Sequence, residues 1–321
     1  MRIAILDDWQ GIAQGAADWA SLGAECVFYR EGFGGPAKTI AALAGFDVIV
    51  AMRERTWLGA DVIPALTNLK LLSFTGPRNA AVDTPSCTAR GIVVCNTLSQ
   101  GSASDTPELA LALLLAAARR IPQGDAEMRA GRFQQNIPPG LGLDGRTLGL
   151  IGLGRIGARV AGYAKALGMT ILAWSTNLTD ERAAEVGVTR VSKQDLLAGS
   201  DAISLHLVLS KRSRNTLMAD DLALMKPGAI LINTSRGPLI EEAALIEAVR
   251  SGRIVAALDV FDEEPLAADH PLRGLPNTIL SPHMGYVTQD TMRSFYLQSV
   301  ENIRAWQAGT PIRVMNPEIV T

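Results

Sequence analysis

An α/β chain of two doubly wound units is the fold this sequence predicts, and three observations carry it. Short apolar runs rich in β-branched residues alternate with helical patterns from end to end, which is how βαβ units on a parallel sheet read. Those runs are nearly continuous rather than alternating, as strands covered on both faces must be. At 321 residues the chain has room for two domains of roughly 100–200 residues each.

In the first hundred residues strands are expected at 3–6, 25–29, 48–51, 69–73 and 92–95, with helical segments at 38–43, 61–66 and 85–90. A long helix over 105–120 follows. Asp105 suits its cap and Pro107 its first turn. Leu and Ala cover most of its surface, more than one buried stripe requires. Two prolines and three glycines make 136–145 a connection. A second series of strands is expected at 148–151, 170–173, 202–205, 230–233, 255–258 and 278–280, and 288–308 reads as a closing helix.

Composition excludes several classes of function. Apolar residues make up 48% of the chain and charged residues 19%, the opposite of a disordered balance. Thirty Lys+Arg against 32 Asp+Glu leave a formal charge of −2, so a nucleic-acid partner is not expected. Cys26, Cys87 and Cys95 fall outside any CxxC spacing. Neither a disulfide framework nor a metal site is expected, which fits a reducing compartment. The opening apolar run is stopped by Asp7 and Asp8, too soon for a secretory signal. The most apolar stretch, 109–118, is far shorter than the ~20 residues of a membrane span. A cytoplasmic protein with no membrane partner is expected.

The strongest motif follows the strand at 148–151: Gly152-Leu-Gly154-Arg155-Ile156-Gly157, then a helical pattern. The first glycine allows the tight turn, the second lets a pyrophosphate approach the backbone, and the third lets helix and strand pack closely. The helix start offers free N–H groups and partial positive charge. A dinucleotide site is expected here. A ribose-reading acid belongs about 20 residues further on, yet that place reads Ser175-Thr176-Asn177. The first carboxylate, Asp180, is assigned to capping the next helix. The cofactor is therefore NAD or NADP, with the choice open.

Each of the three histidines can be weighed. His206 ends an apolar strand and is expected to line the cofactor; His270 lies in a loop and is expected to be solvated. His283 stands just past a strand end, where ligands bind in open α/β sheets, and is the candidate acid. Two neighbouring strand ends carry Arg236 beside Gly237, and Asp259 with Glu264.

The glycine turn, Asn233-Thr-Ser-Arg-Gly-Pro238, Asp259-Val-Phe-Asp-Glu-Glu-Pro265 and Ser281-Pro-His-Met-Gly285 together resemble the ordered signatures of the D-isomer-specific 2-hydroxyacid dehydrogenases. The resemblance spans essentially the whole chain. It implies two doubly wound Rossmann-like domains with a cleft between them: a substrate domain from 1–100 and 287–321, and an NAD(P)-binding domain from 101–286. It implies Arg236, Glu264 and His283 as the catalytic set, with Asp259 near the nicotinamide amide and His206 on the adenine-side strand; Ser175, Thr176 and Thr234 complete the expected cofactor-binding residues. Arg53, Gly76, Arg78 and Asn79 fall where the family keeps its substrate loops, Tyr286 is expected to line the substrate pocket, and a homodimer is implied through the helix at 105–120.

The chemistry is consistent without the family. Reducing a 2-oxo acid needs a hydride at the carbonyl carbon and a proton at its oxygen. His283 suits the proton, Glu264 would favour its imidazolium, and Arg236 can fork onto a carboxylate. Backbone N–H groups around 76–79 are expected to hold the same carboxylate from the other domain.

A non-catalytic NAD(H)-sensing protein of the same fold is the alternative, disfavoured because the catalytic set is complete. The formate-oxidising branch is disfavoured because its glutamine is Glu264 here. Other departures, Val208 for a proline and Pro107-Glu108 for Ala-Glu, do not touch the proposed chemistry. The chain ends soon after its last helix, so no regulatory domain is expected.

Overall fold

A computed structural model describes residues 1–98 and 104–320. The chain divides into two units, Met1–Ser102 with Val287–Thr321, and Ala103–Tyr286. The expected boundary at 100/101 lies outside the described residues.

The first unit begins with strands β1 (Arg2–Ile5), β2 (Glu25–Phe28), β3 (Val48–Ala51), β4 (Leu71–Phe74) and β5 (Val93–Asn96). Between them run helices α1 (Ala13–Ala16), α2 (Pro36–Leu43) and α3 (Thr84–Ala89). The five strands form a parallel sheet in the order β2-β1-β3-β4-β5. Its order reverses between β1 and β3, so the loops after those strands diverge and open a crevice at their carboxyl ends. Leu6, Leu43, Phe46, Ile49, Leu72 and Phe74 build the core. The segment expected as a helix at 61–66 is a single 3₁₀ turn, Ile63–Ala65, because Pro64 removes a helical donor.

The second unit contains α4 (Asp105–Ala118), α5 (Ile121–Arg129), β6 (Thr147–Ile151), α6 (Arg155–Ala166), β7 (Thr170–Trp174), α7 (Asp180–Val186) and β8 (Thr189–Arg190). It continues through α8 (Lys193–Gly199), β9 (Ala202–Leu205), α9 (Ala219–Leu224), β10 (Ala229–Asn233), α10 (Glu242–Arg250), β11 (Ile254–Leu258) and β12 (Thr278–Leu280). Its parallel sheet runs β12-β11-β10-β9-β6-β7-β8, with the reversal at β6 and β9.

The unbroken apolar runs have a direct cause. Along β10, Ile230 and Ile232 enter one core cluster with α4 and α6, while Ala229 and Leu231 enter the other with α10. Both faces of the strand are therefore dry. A last helix, α11 (Gln289–Gln307), returns to the first unit. There Asn302 Nδ2 donates to Ser73 Oγ at 3.0 Å and to the Asn96 carbonyl at 2.8 Å, fixing the helix across β4 and β5.

Three local expectations are corrected. The helix expected over 105–120 stops at Ala118; Arg120 takes a left-handed φ of 55° and a separate helix starts at Ile121. Ser104, not Asp105, is the N-cap residue of α4. Thr179, not Asp180, caps α7, its hydroxyl accepting the Arg182 N–H at 3.2 Å. The two-residue strand β8 was not expected; it is too short for its alternation to register. Among the described residues no helix is long and apolar enough to cross a membrane.

Candidate active site

The strand order of the second unit aligns the sequence motifs along one edge. At the carboxyl ends, from β12 to β7, stand His283, then Asp259 and Glu264, then Arg236, His206, the glycine turn and Ser175.

Asp259, at the end of β11, is 1% exposed and organises the loop that carries His283. Its Oδ1 accepts the Ser281 hydroxyl at 2.5 Å and the Met284 N–H at 2.7 Å; its Oδ2 accepts the Gly285 N–H at 2.9 Å. Its carbonyl accepts the His283 N–H at 2.8 Å. Burial raises the Asp259 carboxyl pKa, and these donors together with the His283 charge act against that rise. The Gly285 carbonyl in turn accepts the Thr106 hydroxyl from α4 at 2.9 Å. Held at both ends, His283 adopts a left-handed φ of 54°.

Within that frame His283 Nδ1 lies 2.5 Å from Glu264 Oε2, while Glu264 Oε1 accepts the Phe261 N–H at 2.9 Å. Burial works against the charged carboxylate. The His283 hydrogen bond and charge, the Phe261 N–H and nearby Arg236 prevail, and hold Glu264 below the usual carboxylate range. The pair leaves Nε2 as the imidazole nitrogen for proton exchange. The Tyr286 ring stands edge-on, 5.9 Å from the imidazole centroid.

Arg236 follows β10. Buried Asn233 ties the turn, its Nδ2 donating to the Arg236 carbonyl at 2.8 Å and its Oδ1 accepting the Ser235 N–H at 3.0 Å. Arg236 Nη1 donates to the Ser235 carbonyl at 2.7 Å. Gly237 sits so close to the Phe261–Asp262 backbone that a Cβ would overlap it. This contact draws the arginine loop against the loop of Glu264.

The dinucleotide cradle has the shape its three glycines require. Gly152, at φ 104°, would place a Cβ 2.6 Å from the His206 carbonyl, and a Cβ on Gly157 would overlap the Gly152 carbonyl. A Cβ on Gly154 would meet nothing within 4 Å, so the approach to this N-cap residue of α6 is open. Both His206 ring nitrogens and the Thr234 hydroxyl are buried with no hydrogen-bond partner among the described residues. Burial lowers the His206 pKa to about 4, which keeps the ring neutral. An open glycine turn with orphaned polar atoms beside it fits a dinucleotide. Ser175 is half-buried, and Thr176 is exposed.

Arg53, Gly76, Arg78 and Asn79 lie in the first unit, after β3 and β4. Arg53 has a left-handed φ of 49°; its N–H donates to Thr75 Oγ1 at 2.9 Å and its carbonyl accepts Asn79 Nδ2 at 2.5 Å. Its guanidinium fills the space a Cβ on Gly76 would take. The Gly76 N–H donates to Thr97 Oγ1 at 3.0 Å, which leaves the N–H groups of Arg78 and Asn79 as the donors of that turn. The structure thus brings Arg53, Gly76 and Asn79 together and leaves Arg78 exposed.

His270 is not solvated as expected. Its Nε2 lies 3.3 Å from Glu242 Oε1, and its Nδ1 accepts the Leu272 N–H at 3.3 Å. Sequence reasoning assigned no role to Asn233 and Ser281, which open their motifs, or to Thr106, a small polar residue next to the expected cap of the long helix.

Comparisons with known proteins agree with this architecture. Residues 111–285 match the model of the D-isomer specific 2-hydroxyacid dehydrogenase NAD binding domain. A glyoxylate reductase of Aeropyrum pernix is 38% identical over 272 residues, covering 82% of this chain and 81% of its own. A D-3-phosphoglycerate dehydrogenase of Archaeoglobus fulgidus is 38% identical over 265 residues, 82% of this chain but 50% of its own. The chain thus spans about half the length of the phosphoglycerate dehydrogenases it matches. A solved phosphoglycerate oxidoreductase of Vibrio cholerae superposes with a TM-score of 0.90 at 34% identity, covering 96% of this chain and 99% of that one. The chain belongs to the D-isomer specific 2-hydroxyacid dehydrogenase family. The second unit carries the family's NAD-binding domain, and NAD(P) is its cofactor.

Proposed function

We propose that the protein is an NAD(P)-dependent D-2-hydroxyacid dehydrogenase, transferring a hydride between NAD(P)H and a 2-oxo acid. The observation that carries this reading is the His283–Glu264 pair, held 2.5 Å apart by the Asp259 scaffold beside the Arg236 turn. A protein that merely senses the dinucleotide has no use for that geometry. The cradle of Gly152, Gly154, Arg155, Ile156 and Gly157, with Ser175, Thr176, His206, Thr234 and Asp259 around it, would hold the reduced dinucleotide, which would supply the hydride.

The chain's own residues do the rest. Arg236 forks onto the substrate carboxylate and polarises the adjacent carbonyl. His283 delivers a proton from Nε2 to the carbonyl oxygen, and Glu264 orients the ring through Nδ1. Tyr286, Arg53, Gly76, Arg78 and Asn79 recognise the remainder of the substrate. Residues 1–100 and 287–321 act as the substrate domain and 101–286 as the cofactor domain.

The test is a panel of 2-oxo acids assayed with NADH and NADPH. Glyoxylate, hydroxypyruvate, its phosphate and an aromatic analogue are included, since relatives are named for glyoxylate and phosphoglycerate. Turnover giving the D-hydroxy acid supports the proposal; no turnover with any member refutes it.

A homodimer through α4 and α5 belongs to the same reading. Leu115 (36% exposed), Ile121 (58%), Met128 (59%) and Phe133 (71%) are large apolar side chains open to solvent in and just after these helices. Sedimentation showing a stable monomer at micromolar concentration would remove it. The cytoplasm is the proposed location: Cys26, Cys87 and Cys95 are free thiols, and burial pushes Cys87 and Cys95 up to about 12.

A further inference from the structure

We infer that the adenosine end of the cradle is built to accept a 2′-phosphate, so that NADP(H) binds at least as tightly as NAD(H). The inference rests on the dehydrogenase reading above and names what that reading leaves open.

The two loops that flank the adenosine end leave from either side of the glycine turn. The Gly152 N–H donates to the Trp174 carbonyl at 2.8 Å, and the His206 N–H donates to the Ile151 carbonyl at 2.8 Å. The ends of β7 and β9 thus bracket β6, about 10 Å apart at two strand spacings. A carboxylate at the end of β7 would accept bonds from both ribose hydroxyls and repel a phosphate. Ser175, Thr176 and Asn177 stand there instead, offering hydroxyl and amide groups without charge.

The nearest acids that follow are engaged elsewhere. Asp180 lies in the first turn of α7 and its Oδ1 accepts Arg190 Nη1 at 3.2 Å. Hydrogen bonds from its own backbone N–H and from Thr179 hold Glu181 below its ordinary value, directing its carboxylate toward α7's own start.

The loop after β9 supplies the positive charge. It carries Lys211 and Arg212, both exposed and without an ion-pair partner among the described residues. The loop is folded on itself: the Ser210 N–H donates to Ser213 Oγ at 2.7 Å, the Ser213 hydroxyl to the Val208 carbonyl at 2.7 Å, and the Arg214 N–H to the Ser210 carbonyl at 3.0 Å. Arg155, the first residue of α6, is likewise exposed and unpaired. The loop after β9 and the first turn of α6, which leave neighbouring strands of the sheet, thus carry three cations without an ion-pair partner among the described residues, while the end of β7 lacks the acid. Such a field draws a dianionic phosphate and does not penalise its absence.

The experiment measures dissociation constants of the full chain for NADPH and NADH by fluorescence titration. Adenosine 2′,5′-bisphosphate and 5′-AMP are added as probes that differ by the 2′-phosphate alone. A Kd for NADPH no larger than that for NADH, with the bisphosphate bound more tightly than AMP, is expected. Ser175→Asp is expected to raise the ratio Kd(NADPH)/Kd(NADH) about tenfold or more. The double variant Lys211→Gln/Arg212→Gln is expected to raise it about threefold or more and to flatten the salt dependence of NADPH binding. Tighter binding of NADH by the wild type, or a ratio unmoved by Ser175→Asp, overturns the inference. Preference for the 2′-phosphate without reduction of any 2-oxo acid supports it while refuting the dehydrogenase reading.

Discussion

Replacing Gly237 by alanine tests the contact that joins the arginine loop to the carboxylate loop. The added Cβ would overlap the carbonyl carbon and oxygen of Phe261 and the nitrogen of Asp262, all backbone atoms that no rotamer change can move aside. Restoring ordinary carbon contact distances from 2.1 Å needs more than about 1 Å of separation between the two loops. That displacement passes directly to the site. Arg236 is the residue before Gly237, and Glu264 is tied to the Phe261 N–H at 2.9 Å. A misplacement of about 1 Å costs roughly 10²-fold in rate, or about 2.7 kcal/mol of transition-state stabilisation. Gly237→Ala is expected to lose that much kcat/KM on the best 2-oxo acid of the panel. Cofactor affinity, read by fluorescence titration, should change far less, since the glycine cradle is on other strands. A melting curve checks that the fold survives. Activity within about threefold of wild type in a folded variant would show that the Gly237–Phe261 contact does not set the active geometry.

The other predictions concern the charged groups. Arg236→Lys keeps the charge and loses the planar fork, so kcat and kcat/KM are expected to fall about tenfold or more, about 1.4 kcal/mol; unchanged kinetics would make Arg236 an ordinary loop arginine. Glu264→Gln replaces the carboxylate that holds the His283 ring at Nδ1, so kcat is expected to fall about tenfold or more while cofactor affinity is kept; an unchanged kcat would refute the pairing. The same variant has a stability signature. The Glu264 carboxyl is depressed in the folded state, so its contribution is present above the ordinary glutamate value of about 4.3 and is lost as pH falls through the lower folded value. On acidification through that window the wild-type melting temperature should fall more than that of Glu264→Gln, and parallel curves would contradict this.

The sheets and the motif-bearing loops were legible in the sequence because both depend on local pattern. A strand covered on two faces must be apolar at nearly every position, and the fully buried β3 and β9 appear at the residues expected of them. What lay between the motifs was less legible. The helix that starts at Ile121, after the left-handed Arg120, buries none of its residues, so no apolar stripe announces it in the polar stretch that follows the run at 109–118. The partner of His270 is Glu242, 28 positions earlier and on another element, a pairing no local signal announces. The role of Asp259 shows the limit most clearly. Its place in a motif marked it as important, but only the fold shows that both its oxygens are taken by the loop of His283. Sequence gives residue types at intervals; which carboxylate orients the histidine and which builds its loop is decided by the register of β11 and β12.

The central claim is that His283 supplies the proton as the hydride is transferred, and single-turnover reduction by His283→Gln tests it most directly. The variant, saturated with reduced cofactor and mixed with the best 2-oxo acid of the panel, is followed by loss of cofactor absorbance, with cofactor affinity measured in parallel. General acid catalysis is typically worth 10²–10⁴-fold, so the rate of the hydride step is expected to fall by roughly that factor while the cofactor still binds. A variant that keeps wild-type single-turnover rates would contradict the account, and the His283–Glu264 pair would then be a structural tie between two loops.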